Sequence, residues 1–202
     1  MKIVEIAGFL GSGKTTTILK IAERLGRKGA MVAVVVNSLG GVPVDGLVFR
    51  ESGLNVKEIG GGCICCELAV NLAHTIRSLK ETYDPDVVLI EPVGLAIPKQ
   101  VTSAVWGSKI EVEISPVLVL FDITDAEASL DEERLGHLVV RQIKGADIIA
   151  INKIDLVDED IMAKYESMLK ALNPSAPIIR ISALKEIGLD DLIQLLVIAN
   201  ET

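Results

Sequence analysis

The sequence predicts an α/β fold of three layers, in which helices cover both faces of a mostly parallel central sheet. Three observations lead there. Short runs rich in Val and Ile alternate with longer stretches of helical pattern, as βαβ units require. Most of these runs are apolar without alternation, which fits strands buried on both faces. The first run passes through a glycine-rich turn straight into a helical stretch. At 202 residues the chain is expected to form a single domain over 1–202 and to bury most of the surface its unfolded form exposes.

Taken in order, the first strand is expected over 3–7. Glu5 sits where a signal peptide would continue its apolar region, so this stretch reads as a strand and not an address. A helix follows over 14–28, closed by Gly29, and then a strand over 32–36. The segment 37–45, with Gly40, Gly41 and Pro43, reads as a mobile loop of the kind that carries a switch. Strands over 56–59 and 87–90 bracket a helix over 68–80. A further helix over 97–107 starts with Pro98 in its first turn. The rest reads as strand 117–121, helix 132–144 ended by Gly145, strand 148–152, helix 160–172 ended by Asn173-Pro174, strand 178–182 and helix 189–199.

Lys, Arg, Asp and Glu interrupt every apolar run well short of membrane-spanning length. The formal net charge is −8, which repels nucleic acid and anionic lipid, so neither is expected as a partner. All three cysteines fall within four positions. Neighbouring thiols cannot staple distant segments, so a reducing, cytoplasmic setting is expected.

Gly8-Phe9-Leu10-Gly11-Ser12-Gly13-Lys14-Thr15 fits GxxxxGK[ST] between a predicted strand and a predicted helix. This makes the fold a P-loop NTPase fold. Gly8, Gly11, Ser12 and Gly13 let the backbone wrap phosphates, the helix N-terminus adds a positive dipole end, and Lys14 adds a point charge. Thr15 is expected to give its hydroxyl to Mg²⁺, with Thr16 beside it among the nucleotide-binding residues. Val88-Leu89-Ile90-Glu91-Pro92-Val93-Gly94 is an apolar run ending in an acid, with glycine three positions on. Glu91 is expected to hold magnesium through water or to orient the attacking water, and Gly94 to donate its N–H to the γ-phosphate. Asp45 is a candidate second magnesium ligand or water-positioning acid, and equally a turn residue.

Ile149-Ala150-Ile151-Asn152-Lys153-Ile154-Asp155 is an apolar strand ending in NKxD. A carboxylate in the plane of guanine accepts from N1–H and the 2-amino group together, a pair of donors that adenine lacks, so Asp155 selects GTP. Lys153 lays its stem across the ring, and Asn152 braces the loop or touches N7. In Ser182-Ala183-Leu184 a backbone N–H can reach guanine O6.

Gly60-Gly61-Gly62-Cys63-Ile64-Cys65-Cys66-Glu67 lies between a strand and a helix. Cys63 and Cys65 point to one side of an extended segment and can share a soft metal, with Cys66 joining if the chain turns. Zn²⁺ is the first expectation, then Co²⁺ and Ni²⁺. Three crowded thiolates suit an open, exchangeable site. The competing readings are small buried cysteines or a redox pair. His74 and His137 read as helix-surface residues.

With GFLGSGKTT, GGCICC, EPVG and NKID in this order, the chain resembles the CobW-type GTPases, relatives of HypB and UreG. The resemblance implies a SIMIBI-class fold and frequent dimerisation. It also implies a metallochaperone in which GTP binding and hydrolysis gate transfer of a metal to a client metalloenzyme or cofactor-assembly protein. The alternative is a GTPase chaperone that protects or reactivates a cofactor-dependent, for example corrinoid, enzyme, with structural cysteines. Family members often carry Asn-Glu after the second strand where this chain has Asn37-Ser38, which removes a hard ligand. They also commonly carry a C-terminal domain, whose role a separate partner is expected to fill.

Overall fold

The computed structural model describes residues 1–36, 55–58, 67–107, 110–131 and 136–198. Strand β1 (Lys2–Gly8) is central, with six of its seven residues buried. Around it run β2 (Val32–Val36), β3 (Asn55–Glu58), β4 (Val87–Glu91), β5 (Glu113–Ile114), β6 (Leu118–Asp122), β7 (Ile148–Asn152) and β8 (Ile178–Arg180). Their order is β3-β2-β4-β1-β6-β7-β8, with β5 pairing the start of β1. Every named strand pair is parallel. Among the described residues, antiparallel pairing occurs only at the bridge between Ser182 and Ile187.

The helices are α1 (Lys14–Arg27), α2 (Glu67–Thr82), α3 (Gln100–Gly107), α4 (Ala126–Ser129), α5 (Gly136–Gly145), α6 (Glu159–Leu172) and α7 (Leu189–Ile193). Strand side chains alternate between faces, so Val4 and Ile6 of β1 join Val34, Leu89 and Leu118 under α1 and α7. Ile18, Ile21 and Leu25 of α1 meet them at helical spacing. Ile21 is fully buried, and truncating it to Ala would cost about 2–5 kcal/mol. On the opposite face Ile3, Val35 and Ile90 pack on α2 and α3, while Ala7, Val119 and Ile149 pack on α5 and α6. These are the three expected layers. Among the described residues no helix is long and apolar enough to cross a membrane.

Several boundaries depart from the sequence reading. The helix expected from 97 begins at Gln100, because Lys99 takes a left-handed φ of 74°. The last strand stops at Arg180, and the chain then turns back at Ser182 to meet Ile187. The helix expected to 199 widens into a π-helical turn at Gln194–Ile198. There the hydroxyl of Ser115 donates to the Leu196 carbonyl at 2.6 Å and the Lys2 ammonium to that of Val197 at 2.5 Å. Strand β5, helix α4 and the 3-10 turn Ile123–Asp125 were not expected. Of the helix expected over 132–144, the described part is α5. The loop 37–45 lies outside the described residues.

Candidate nucleotide-binding site

Parallel strands place their carboxyl ends on one edge, and there the sheet presents Gly8, Glu91, Asp122 and Asn152. Between Gly8 and α1 the chain reverses with positive φ at Gly8 (142°), Gly11 (79°) and Gly13 (90°). A side chain at Gly8 would lie 2.6 Å from the Leu120 carbonyl oxygen, and one at Gly13 would strike the Asn152 amide. No side chain caps α1 at Gly13, so its first N–H groups are left for an anion. Among the described residues the Ser12 hydroxyl beside them is buried without a hydrogen-bond partner. An orphaned buried hydroxyl in a helix-start cradle is what a phosphate oxygen would satisfy.

Lys14 opens α1 and is itself buried, its ammonium donating to the Phe9 carbonyl at 3.1 Å and standing 3.9 Å from Glu91. Glu91 ends β4, and its other oxygen accepts from the Thr15 hydroxyl at 2.8 Å. Burial pushes the Lys14 ammonium below its ordinary pKa, against the pull of Glu91. Burial likewise pushes the Glu91 carboxyl up, opposed by the Thr15 bond and by Lys14. Both groups are therefore desolvated without forming a close pair, an arrangement that suits further charges entering between them. Thr15 and Glu91 are hard oxygen donors of the kind magnesium prefers, and the Lys14 ammonium could meet an anion.

Gly94 reaches the same loop from β4. A side chain there would come within 2.7 Å of Leu10 Cδ2 and 3.2 Å of the Leu10 nitrogen. Behind it, Glu5 is buried in β1 and accepts from the N–H groups of Lys99 at 3.1 Å and Thr102 at 3.4 Å, at the start of α3. Burial raises this carboxyl to about 7, with the bonds from Thr102 and Lys99 opposing and the Asp147 carboxylate adding to the rise.

The base end is organised by Asn152, which is 1% exposed. Its amide nitrogen donates to the Ser12 carbonyl at 2.8 Å, and its oxygen accepts from the Ala183 N–H at 3.0 Å. One side chain thus ties the phosphate loop to the turn after β8. Lys153 has a left-handed φ of 68°, and its ammonium lies 2.5 Å from Asp122 at the end of β6. That pair fixes the lysine stem. Asp155 is exposed two residues on. In the turn, the Lys185 N–H is bonded to the Ser182 hydroxyl at 3.1 Å. The Ala183 N–H serves Asn152, and Leu184 stands at the exposed tip between them. Glu186, with φ of 59°, ties the turn to α1 through Lys20 at 2.7 Å and Arg24 at 3.1 Å.

The described residues thus gather Gly8, Gly11, Ser12, Gly13, Lys14, Thr15, Glu91 and Gly94 at one end, and Asn152, Lys153, Asp155, Ser182, Ala183 and Leu184 at the other. Thr16 continues α1. Asp45, Cys63, Cys65 and Cys66 lie outside the described residues, and His74 and His137 sit exposed on α2 and α5 as expected. Asp122, Glu186 and Glu5 were missed by the sequence reading. Of these, Asp122 alone had a signal, as an acid ending a strand beside NKxD.

The CobW/HypB/UreG nucleotide-binding domain matches the chain over residues 2–180. Over 151 residues the chain is 39% identical to the zinc chaperone YeiR of Escherichia coli K12, covering 74% of this chain and 45% of that protein. Over 212 residues it is 26% identical to zinc-regulated GTPase metalloprotein activator 1 of Dictyostelium discoideum, covering 87% of this chain and 44% of that one. The crystal structure of the hydrogenase maturation factor HypB from Archaeoglobus fulgidus is similar with a TM-score of 0.69 and 25% identity, covering 96% of this chain and 87% of that chain. The chain spans about half the length of the curated relatives it matches. On the extent of the domain match, the chain belongs to the CobW/HypB/UreG family of nucleotide-binding domains.

Proposed function

We propose that the chain is a GTP-binding and GTP-hydrolysing metallochaperone that couples its nucleotide state to holding zinc and delivering it to a client metalloenzyme. The observation that carries the nucleotide half is Asn152, which joins the Ser12 carbonyl to the Ala183 N–H and so sets the phosphate cradle at a fixed distance from the base reader. Asp155 then accepts from guanine, Lys153 covers the ring from its anchor on Asp122, and the turn at Leu184 offers an N–H to O6.

At the other end the phosphates lie along Gly11, Ser12, Gly13 and the first turn of α1, with Lys14 against the γ-phosphate. A magnesium ion held by Thr15 and Glu91 would neutralise charge on the phosphates. Lys14 neutralises the charge that develops as water attacks in line, and Glu91 orients that water. Asp45 is a second candidate for this work.

The zinc half rests on Cys63, Cys65 and Cys66 in GGCICC and on the names of two relatives, a zinc chaperone and a zinc-regulated GTPase metalloprotein activator. Thiolates bind zinc, cobalt and nickel, and the relatives favour zinc. The test is a titration of Co²⁺, standing in for zinc, into GTP-loaded and GDP-loaded protein while thiolate charge-transfer absorption is followed. Strong thiolate bands with an affinity that depends on nucleotide are expected. Absence of thiolate bands in both states would demote the cysteines to structure and turn the reading toward a GTPase that protects a cofactor enzyme.

A further inference from the structure

Gln142 is 2% exposed on the buried side of α5. Its amide nitrogen donates to the Gly94 carbonyl at 3.0 Å and to the Ala96 carbonyl at 2.9 Å. Among the described residues its own carbonyl oxygen is buried with no partner. Leaving such an acceptor unpaired costs about 1–3 kcal/mol, a penalty that a similarly sized apolar side chain would avoid. The amide is therefore accounted for by the two bonds it donates.

Those bonds act on a turn whose peptide planes are linked. The Ala96 N–H donates to the Val93 carbonyl at 2.8 Å. Because a peptide unit is planar, fixing the Val93 carbonyl also fixes the direction of the Gly94 N–H. Gln142 holds the carbonyls of Gly94 and Ala96 around that bond. The whole segment also leans on α5, since a side chain at Gly145 would lie 3.3 Å from the Pro98 ring. On its other side Gly94 is pressed against Leu10 of the phosphate loop.

We propose that Gln142 is a positioning residue for nucleotide hydrolysis, aiming the Gly94 N–H at the γ-phosphate by holding the Gly94 and Ala96 carbonyls. This rests on the reading of Gly94 as the group that senses the γ-phosphate. Gln142 then acts only when that phosphate is present, whereas a merely structural amide would matter equally with GDP.

The experiment measures affinities for GDP and for a non-hydrolysable GTP analogue, with single-turnover GTP hydrolysis, in wild type, Gln142→Met, Gln142→Glu and Gly94→Ala. Methionine fills the volume without donating. Glutamate keeps the shape and faces the two carbonyls with acceptors. Both Gln142 variants are expected to weaken the GTP analogue about tenfold, the size of one lost hydrogen bond, to slow hydrolysis similarly, and to leave GDP within about twofold. Gly94→Ala, whose methyl would strike Leu10, is expected to show the same selectivity. If Gly94→Ala is selective while Gln142→Met matches wild type, or weakens both nucleotides equally, the role of Gln142 is refuted. If Gly94→Ala is not selective, the reading of Gly94 fails and the proposal falls with it.

Discussion

The two ends of the candidate nucleotide site are built on opposite plans. At the base end, protein groups hold one another. Asn152 is bonded on both sides, Lys153 is held by Asp122, Ser182 bridges to Ile187, and Glu186 is clamped by Lys20 and Arg24. At the phosphate end, the protein groups are less closely paired with one another. Among the described residues the Ser12 hydroxyl has no partner and α1 has no side-chain cap, and Lys14 and Glu91 are desolvated 3.9 Å apart. Shape recognition can be settled in advance because guanine brings no net charge. Charge recognition cannot, because a buried site complementary to triphosphate carries groups that only the ligand can neutralise.

The largest effect is expected at the incomplete end. Lys14→Ala removes the buried cation, and single-turnover hydrolysis should fall by about 10²–10³-fold, the range for losing one transition-state charge contact. Base preference should be unchanged, since Asp155 and Asn152 are untouched.

Behind that end, Glu5 gives a pH signature. Its folded pKa, about 7, stands above the ordinary 4.5, so between those values the folded protein holds a proton that the unfolded chain has lost. Stability contributed by this group is present below about 4.5 and is lost as pH rises through about 7, a total on the order of 3 kcal/mol. Denaturation of wild type and Glu5→Gln across pH 5 to 8 should show wild type losing ground to the variant as pH rises. A constant difference would mean that burial does not disfavour the ionised Glu5 carboxylate.

At the settled end, Asp155→Asn should lower GTP affinity about a hundredfold and raise that for xanthosine triphosphate, whose 2-oxo group accepts from the new amide. Hydrolysis of whatever nucleotide is bound should stay near wild type. Smallest is Glu186→Ala. Its ion pairs are open to solvent, so GTP affinity should weaken by less than about tenfold, and the gap to wild type should close as salt rises. A salt-independent loss would place the clamp's contribution elsewhere.

Much of both ends was legible in the sequence because the phosphate loop and NKxD pack several chemical demands into short stretches. Glycines at Gly8, Gly11 and Gly13 are needed for backbone with positive φ, and the apolar run before Asn152 marks a doubly covered strand. What escaped was tertiary. The Asn152 bond to Ser12 spans 140 residues and the Gln142 bond to Gly94 spans 48, and no local pattern announces either partner. A two-residue strand such as β5 has no periodicity to read. The widened end of the last helix meets Ser115 and Lys2, contacts that helix propensity cannot foresee.

The most direct test of the contrast is calorimetric titration of GDP and a non-hydrolysable GTP analogue, with and without Mg²⁺, into wild type, Asn152→Ala and Thr15→Ala. Asn152→Ala should weaken both nucleotides by the same factor whether or not magnesium is present. Thr15→Ala should keep the magnesium-free affinities and lose the gain that magnesium brings. If Asn152→Ala instead changes the magnesium gain, or Thr15→Ala weakens magnesium-free GDP binding as much as Asn152→Ala does, the two ends are not separate devices and the account is wrong.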